Sequence, residues 1–197
     1  SGVMVTGSHN PPQYNGLKLM GAGEAIWGEA ILNLRDQINI GLPVPALRQG
    51  VVTQKDVGAD YLRRIVSDVT LWAPMKVAVD CGNGSPGAFA PALLRKLGCE
   101  VIELFCEVDG TFPNHHPDPT VEANVEDLKK KVAEVGAEVG IALDGDADRI
   151  GVVDSRGRVV WGDQLMILFA RAILAEIPGA TFVSEVKCSK SLYDEIE

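Results

Sequence analysis

Three aspartates, Asp144, Asp146 and Asp148, stand close together in the segment DGDADR. Carboxylates at this spacing repel one another by about 1 kcal/mol per pair at 4 Å in water and by about 4 kcal/mol at a partly buried site. We therefore expect a cation among them, and hard oxygen donors favour Mg²⁺ or Ca²⁺ over zinc or copper. Arg149 follows directly and could pair with these carboxylates or with an anion bound near the metal.

Two other structures could produce this aspartate loop. An EF-hand loop begins in the same way, but Arg149 stands where that loop needs Gly and Ser155 stands where it needs Glu. A strand, instead of a helix, is also expected before it. The remaining alternative is a solvated acidic turn, because Asp and Gly are common turn residues.

A second group of residues lies in the loop TGSHNPPQYNG, where Ser8 follows a predicted strand and is flanked by Gly7 and His9. The prolines stiffen the loop, so it could present a hydroxyl on a fixed frame. A serine nucleophile needs a base, a lowered pKa or a metal, which His9 or the distant aspartates could supply. The GxSxG elbow is absent, which disfavours acyl transfer. Lys18 could bind an anion at the same loop, or it could be an ordinary surface lysine.

A third pattern supports a different class of protein. Gly82, Gly84 and Gly87 in DCGNGSPG satisfy GxGxxG, and Glu103 ends the next predicted strand, as in a nicotinamide-dependent (NAD) oxidoreductase. However, Asp80 would stand beside the pyrophosphate and Pro86 has no amide hydrogen to donate. We therefore favour a structural role, in which the glycines allow a tight turn between strand and helix.

The segment GTFPNHHPDPT contains adjacent histidines, His115 and His116. Neighbouring side chains on an extended segment point in opposite directions, so both cannot easily bind one metal. Helix capping by Thr120 and turn formation by the prolines explain most of the composition. The sequence predicts a structural role here.

The regular elements around these loops predict an α/β fold. MKVAVDC, CEVIELF and AEVGIAL have the composition of buried parallel strands, and helical patterns separate them at 88–97 and 121–135. Before this βαβαβ unit we expect a strand at 3–6, the strand LKLM, helices at 24–40 and 56–71, and a linker GLPVPALRQG between those helices. After it we expect a hairpin in RIGVVDSRGRVVWG, a helix at 163–176, a strand TFVSEVKC and a helix from Ser189. The predicted class is therefore α/β, with mixed, mainly parallel sheets flanked by helices.

Composition and charge exclude several classes of protein. With 18 Lys+Arg against 27 Asp+Glu the net charge is −9, so neither nucleic acid nor an anionic membrane is an expected partner. No uncharged apolar run approaches the roughly 18 residues of a membrane span, and no secretory signal is visible. The four cysteines form no CxxC pair and are expected to be reduced and buried, which is typical of a cytoplasmic protein. The chain opens without Met inside a predicted strand, so we expect it to be a segment of a longer protein.

The two loops TGSHNPPQYNGLK and DGDADR together resemble those of the α-D-phosphohexomutase superfamily. FPNHHPDP is similar to the bacterial phosphomannomutase/phosphoglucomutase branch, and VAVDCGNG and VSEVKC also resemble family segments. The resemblance implies parts of a multi-domain enzyme. Residues 1–53 would be the end of domain 1, residues 54–157 domain 2 and residues 158–197 the beginning of domain 3.

The resemblance also implies an activity and a cofactor. The expected reaction is a Mg²⁺-dependent interconversion of hexose 1-phosphate and hexose 6-phosphate through a hexose 1,6-bisphosphate, with phosphoglucosamine mutase as the related alternative. The family's other sugar- and phosphate-binding loops would lie outside this segment, so the segment alone is expected to be nearly inactive. A non-enzymatic alternative is a scaffold in which the metal only stabilises the fold.

Individual roles follow from the same resemblance. Ser8 would carry the phosphoryl group, and a phosphoserine oxygen would join Asp144, Asp146 and Asp148 as a ligand of Mg²⁺. His9, Lys18 and Arg149 match positions that surround the phosphoserine. Lys187 matches a family lysine that faces the active cleft.

Overall fold

The computed structural model describes residues 1–11, 13–41 and 50–196. Its strands are β1 Gly2–Val5, β2 Leu17–Gly21, β3 Glu24–Ile26, β4 Lys76–Asp80, β5 Glu100–Leu104, β6 Val139–Leu143, β7 Ile150–Asp154 and β8 Val159–Val160. Its α-helices are α1 Glu29–Ile40, α2 Gly58–Asp68, α3 Ala90–Lys96, α4 Glu126–Val135, α5 Gly162–Glu176 and α6 Lys190–Ile196. Short 3-10 turns at Ser85–Ala88 and Glu122–Val125 lead into α3 and α4. The predicted α/β class is confirmed.

The larger sheet has five strands in the order β5-β4-β6-β7-β8. β4 pairs in parallel with β5 and with β6, and helices connect these strands as the sequence predicts. β6, β7 and β8 pair antiparallel, which confirms the predicted hairpin. The sheet is therefore mixed, with parallel pairing in its β5-β4-β6 part.

The main core lies between α4 and this sheet. Leu128 and Val132 of α4 are fully buried against Ala78, Ala142 and other apolar side chains of the strands. A Cβ at Gly140 on β6 would meet the Val132 side chain at 2.7 Å, so the absence of a side chain there lets the helix approach the sheet. This packing supports the carboxyl ends of β4 and β6 rigidly. The loops that follow those strands therefore start from fixed positions.

The smaller sheet is antiparallel, in the order β1-β2-β3. The prediction of one helix over 24–40 is wrong in its first turn. Ala22 and Gly23 adopt positive φ angles of 52° and 87°, and this tight turn folds β3 back onto β2, so that Ile26 pairs with Leu19. The helix begins only at Glu29.

The predicted strand TFVSEVKC is also wrong, because residues 181–188 form no strand. Val183 and Val186 are exposed, and no strand of the described ranges pairs with the segment, although β structure requires a partner ladder. The helix expected from Ser189 is present as α6. Residues 42–49, which hold most of the predicted linker, lie outside the described residues.

All four cysteines are free thiols, and the expected burial is confirmed for Cys81 and Cys99. Cys106 and Cys188 are only half-buried, so the expectation of burial is wrong for them. Among the helices of the described ranges, none combines the length and the apolar character that crossing a membrane requires.

Candidate functional site

The three aspartates occupy the loop between β6 and β7, at the sheet edge where β4 and β6 end. Asp144 is fully buried, whereas the Asp148 side chain is 54% exposed. One carboxylate oxygen of each of the three residues lies within 4.8 Å of the other two. The loop therefore gathers three negative charges at one point, as its spacing predicts.

The serine loop packs directly on this aspartate loop. Ser8 Oγ lies 3.2 Å from Asp144 Oδ2 and 3.1 Å from Asp146 Oδ1, so its single proton is shared between the two carboxylates, and it lies 3.1 Å from His9 Nδ1. Ser8 has a φ of 52°, which is unusual for a residue with a side chain and common at sites where the surroundings enforce it. Two loops that are far apart in sequence thus form one site.

Thr6 is a member of the site that sequence reasoning missed. Its hydroxyl donates to Asp146 Oδ2 at 3.0 Å and accepts from the Ser8 amide at 2.9 Å. The threonine therefore ties the backbone of the serine loop to the second aspartate. The available signal was its position at the end of the first predicted strand, two residues before Ser8.

Cationic side chains balance part of this charge. Lys18 Nζ on β2 bridges Asp146 Oδ2 at 3.0 Å and Asp148 Oδ2 at 3.2 Å. Arg149 Nε lies 3.5 Å from Asp144 Oδ2 and 3.7 Å from Asp148 Oδ1. The other end of Arg149 reaches the His9 ring, where Nη2 contacts Nδ1 and lies 3.2 Å from Nε2.

The environment shifts the pKa values of these groups in opposite directions. Burial raises the pKa of Asp144, and the charges of Asp146 and Asp148 raise it further against the hydrogen bond from the Arg149 amide. Burial also acts to raise the pKa of Asp146, but hydrogen bonds from Lys18 and from two hydroxyls outweigh it, so this pKa lies below its usual value. Hydrogen bonds to Asp146 and Asp148 raise the pKa of Lys18.

The donor set fits Mg²⁺. An octahedral magnesium with bonds of about 2.1 Å separates neighbouring oxygen ligands by about 3.0 Å and opposite ligands by about 4.2 Å. The carboxylate oxygens fall within 4.8 Å of one another, and the Ser8 hydroxyl lies near 3 Å from two of the carboxylates. All four donors are oxygens, which disfavours zinc or copper.

Asp118, in the segment NHHPDP, also reaches the site, and the structural role predicted for that segment did not include this contact. Its Oδ1 lies 3.1 Å from Arg149 Nη1. The ring of His116 meets the ring of His9 edge-on, with centroids 5.8 Å apart. His115 turns away from the site and pairs with the buried Asp80 at 2.9 Å. The opposite directions expected for adjacent histidines are therefore observed.

Lys187 stands apart from the other predicted site residues. Its side chain is 85% exposed, and its ammonium lies 3.8 Å from Glu185. Within the described residues it shares no hydrogen bond or ion pair with the Ser8 cluster. Ser8, His9, Lys18, Arg149 and the three aspartates come together, and Lys187 does not join them here.

The glycine loop has a structural role. Every amide of GNGSPG that can donate already has a partner within the protein: Gly82 donates to Asp80 Oδ1, Asn83 to Phe105 O, Gly84 to Cys81 O, Ser85 to Gly145 O and Gly87 to Gly84 O. A Cβ at Gly84 would lie 2.8 Å from the Gly145 backbone, so the loop packs directly under the aspartate loop. No amide is left to bind a pyrophosphate.

Two domain models of one protein family match the parts of the chain that contain these loops. The model for phosphoglucomutase/phosphomannomutase, alpha/beta/alpha domain II, matches residues 59–157, which is half of the chain. The model for domain I of the same family matches residues 1–40. The chain belongs to the phosphoglucomutase/phosphomannomutase family. The two matches contain the aspartate loop and the serine loop, respectively.

Similar proteins cover the whole chain. It is 50% identical to a Pseudomonas putida protein named phosphomannomutase/phosphoglucomutase, over 100% of this chain and 42% of the relative. It is 50% identical to a Neisseria meningitidis phosphoglucomutase, over 98% of this chain and 42% of the relative. A phosphoglucomutase/phosphomannomutase family crystal structure from Burkholderia thailandensis has a TM-score of 0.92 at 42% identity, over 98% of this chain and 42% of that one. The chain thus spans about 42% of the length of these relatives.

Proposed function

We propose that this chain carries the phosphoryl-transfer site of a Mg²⁺-dependent hexose-phosphate mutase, which interconverts hexose 1-phosphate and hexose 6-phosphate through a hexose 1,6-bisphosphate. The observation that carries the proposal is the approach of the Ser8 hydroxyl to within hydrogen-bond distance of Asp144 and Asp146, which lie 136 and 138 positions away in sequence. A hydroxyl beside clustered carboxylates suits a phosphate carrier next to its metal. Membership of the family supports the same assignment.

In this proposal Ser8 is the phosphorylated residue. A sugar hydroxyl oxygen forms the new bond to phosphorus while the bond from phosphorus to Ser8 Oγ breaks, and the proton released by the sugar hydroxyl balances the charge of the Ser8 oxygen. His9 Nδ1 lies 3.1 Å from Ser8 Oγ and is also contacted by Arg149 Nη2, so the imidazole and the guanidinium both face the oxygen on which charge develops. The reverse step rephosphorylates Ser8 from the other end of the bisphosphate.

The charged groups of the site would stabilise the charge that moves during phosphoryl transfer. Phosphoryl transfer depends mainly on positioning and on stabilising charge at the transferred oxygens. Asp144, Asp146 and Asp148, together with a Ser8 oxygen, would hold Mg²⁺, which when bound neutralises phosphate charge. Lys18 and Arg149 add fixed positive charge at the same place. Lys187 is proposed to contact substrate, as its match to the family lysine implies.

The proposal also covers the domain boundaries and the sugar phosphates that serve as substrates. Residues 1–53, 54–157 and 158–197 would be the end of domain 1, domain 2 and the beginning of domain 3, and the matched ranges 1–40 and 59–157 are compatible with the first two. The names of the relatives favour mannose and glucose phosphates as substrates. A cytoplasmic location remains a prediction, as does low activity of the segment alone.

The direct test is Ser8→Ala, with Ser67→Ala on the exposed face of α2 as the matched control. After incubation with glucose 1,6-bisphosphate and Mg²⁺, we expect intact mass and peptide mapping to locate one phosphate on Ser8 in the wild type and in the control, and none in Ser8→Ala. Phosphate acquired by Ser8→Ala to the same extent would rule out the serine carrier. Stabilisation by Mg²⁺ without phosphorylation of Ser8 would favour the scaffold alternative.

The substrate is tested separately in the intact enzyme that contains this chain. Rates on mannose, glucose and glucosamine 1-phosphates are compared at equal enzyme concentration. We expect mannose and glucose phosphates to be converted faster. A clear preference for glucosamine phosphate would instead support phosphoglucosamine mutase, which shares both loops.

A further inference from the structure

The segment from Asn114 to Pro119 is anchored by two part-buried side-chain contacts. Asn114 Nδ2 donates to Asn83 Oδ1 at 2.7 Å. His115 Nε2 lies 2.9 Å from the fully buried carboxylate of Asp80. These contacts fix the beginning of the segment to the carboxyl end of β4.

Two prolines of the same segment fit against glycines. A Cβ on Gly82 would stand 2.9 Å from the Cβ of the fully buried Pro117, and a Cβ on Gly151 would stand 2.9 Å from that of Pro119. Either glycine would have to shift its neighbour if it carried a side chain. The residue between the two prolines, Asp118, is therefore presented by a segment packed on both sides.

Asp118 itself is locked into a local turn. Its Oδ1 accepts from the Thr120 amide at 3.1 Å and from the Thr120 hydroxyl at 2.7 Å, and its carbonyl accepts from Asn124 Nδ2 at 2.9 Å. The same Oδ1 meets Arg149 Nη1 at 3.1 Å. Burial acts to raise the pKa of Asp118, but the Thr120 hydrogen bonds and the charge of Arg149 outweigh it, so this pKa lies below its usual value.

Arg149 therefore stands between two sets of carboxylates. Its Nη1 is held by Asp118, while its Nε is only 3.5 Å from Asp144 and 3.7 Å from Asp148. A guanidinium binds carboxylates best through two parallel hydrogen bonds. Without Asp118 we expect Arg149 to turn its fork onto the aspartate cluster, where its charge would compete with a metal ion for the same carboxylates.

We propose that Asp118 is a positioning residue, which holds Arg149 beside the aspartate cluster and prevents it from closing onto Asp144 and Asp148. The inference rests on the proposed function, in which those aspartates bind Mg²⁺. Asp118 acts only through Arg149 and touches neither the metal ligands nor Ser8 among the contacts of the described residues. The turn at Asp118 serves to aim its carboxylate at the guanidinium.

A second turn in the chain offers a matched control. Asp109 Oδ1 accepts from the Thr111 amide at 2.9 Å and from the Thr111 hydroxyl at 2.7 Å, which repeats the Asp118–Thr120 arrangement in an exposed loop away from Arg149. Asp109→Ala and Asp118→Ala therefore remove the same local motif. Only the second removes the contact with the guanidinium.

The first measurement needs neither metal nor turnover. The Arg149 side-chain N–H signals are recorded by NMR and assigned with Arg149→Gln. We expect restricted, slowly exchanging guanidinium signals in the wild type and Asp109→Ala, and mobile or shifted signals in Asp118→Ala. Asp118→Glu should restore part of the restriction, and Asp118→Asn, which keeps an oxygen for Thr120, provides a folded variant should Asp118→Ala fail to fold. Unchanged Arg149 signals in the folded Asp118 variant would overturn the proposal.

The second measurement is Mg²⁺ affinity by calorimetry. Loss of groups that orient a metal site typically weakens binding by 10–100-fold, and we expect about a tenfold higher Kd in Asp118→Ala and little change in Asp109→Ala. In an Arg149→Gln background the same Asp118 change should have little effect, because the partner through which it acts is gone. If Asp118→Ala weakens Mg²⁺ binding equally in the Arg149→Gln background, the proposal is wrong. Asp118 would then act on the metal site through its own negative charge. A wild type that binds no Mg²⁺ would contradict the proposed function, while the NMR result still decides the role of Asp118.

Discussion

A Cβ atom built on Gly145 would stand 2.0 Å from the carbonyl oxygen of Ser8. Backbone therefore meets backbone where the serine loop packs on the aspartate loop, with no side chain between them. On the other side of the same residue, Ser85 N and Ser85 Oγ both donate to the Gly145 carbonyl at 3.0 Å. Gly145 is the point at which three loops are stacked.

Replacing Gly145 by Ala should separate the serine loop from the aspartate loop. A methyl group 2.0 Å from a carbonyl oxygen cannot be accommodated without a backbone shift, and such overpacking costs about 1–3 kcal/mol. The opened loop should expose the chain near Lys18, so we expect tryptic cleavage after Lys18 to become several times faster. Gly110→Ala, where an added Cβ meets nothing within 4 Å, is the control. Equal cleavage rates for wild type and Gly145→Ala would contradict the prediction.

Replacing Lys18 by Gln should strengthen Mg²⁺ binding while it slows turnover. The ammonium bridges Asp146 and Asp148 and so competes with a metal for the same oxygens. The Lys18 side chain is half exposed, so solvent weakens both ion pairs and the gain in affinity should be modest, with a roughly two- to tenfold lower Kd by calorimetry.

Lys129→Gln is the matched control for this change. Lys129 Nζ bridges two carboxylates in the same way, Glu122 at 3.0 Å and Glu126 at 2.6 Å, but on α4 and its entry turn. Its loss should leave the Kd for Mg²⁺ unchanged. Weaker Mg²⁺ binding in Lys18→Gln than in the wild type would show that the lysine supports the metal site instead of competing for it.

The glycine loop should not bind a nicotinamide cofactor. All five donating amides of residues 82–87 are already bonded within the protein, so a pyrophosphate would have to break those bonds. Titration with NADH, followed by its fluorescence, should show no saturable binding at micromolar concentration. Saturable binding would restore the oxidoreductase hypothesis.

The sequence predicted the βαβαβ unit because short runs of β-forming residues alternate with helical patterns, and the middle strand β4 is buried along most of its length. It failed at β3, where the apolar positions fit a helix equally well and the positive φ angles of Ala22 and Gly23 decide the outcome. It failed at 181–188 because β composition does not reveal whether a pairing strand is available. Both outcomes depend on tertiary contacts, which local sequence patterns do not record.

The residues of the site also fall into those that the sequence identifies and those that it does not. Ser8 and the three aspartates could be found from spacing and residue type, since their chemistry is written in short motifs. Thr6 and Asp118 could not, because each acts on a residue distant in sequence: Thr6 on Asp146, and Asp118 on Arg149. Only the stacking of the loops shows which threonine and which aspartate reach the site.

The pair of His115 and Asp80 should make stability depend on pH in a defined direction. The hydrogen bond to Asp80 raises the pKa of His115 in the folded protein, against burial, and the His116 carbonyl and the charges of Asp80 and Asp127 raise it further. A raised pKa means that the stabilisation is complete below about pH 6.5, the ordinary value, and is lost as pH rises through the folded-state pKa. The protein should therefore become less stable towards alkaline pH on account of this pair.

His115→Gln tests this, with His116→Gln as the adjacent control. Free energies of unfolding are measured in urea between about pH 5 and pH 9. At the acidic end we expect the wild type to be more stable than His115→Gln by about 1.5–3 kcal/mol, the range for hydrogen bonds to charged groups. That difference should shrink as pH rises, because the wild-type imidazole loses its charge while glutamine has none to lose, and His116→Gln should not reproduce this trend. A difference that stays constant or grows with pH would show that the charge of His115 does not stabilise the fold.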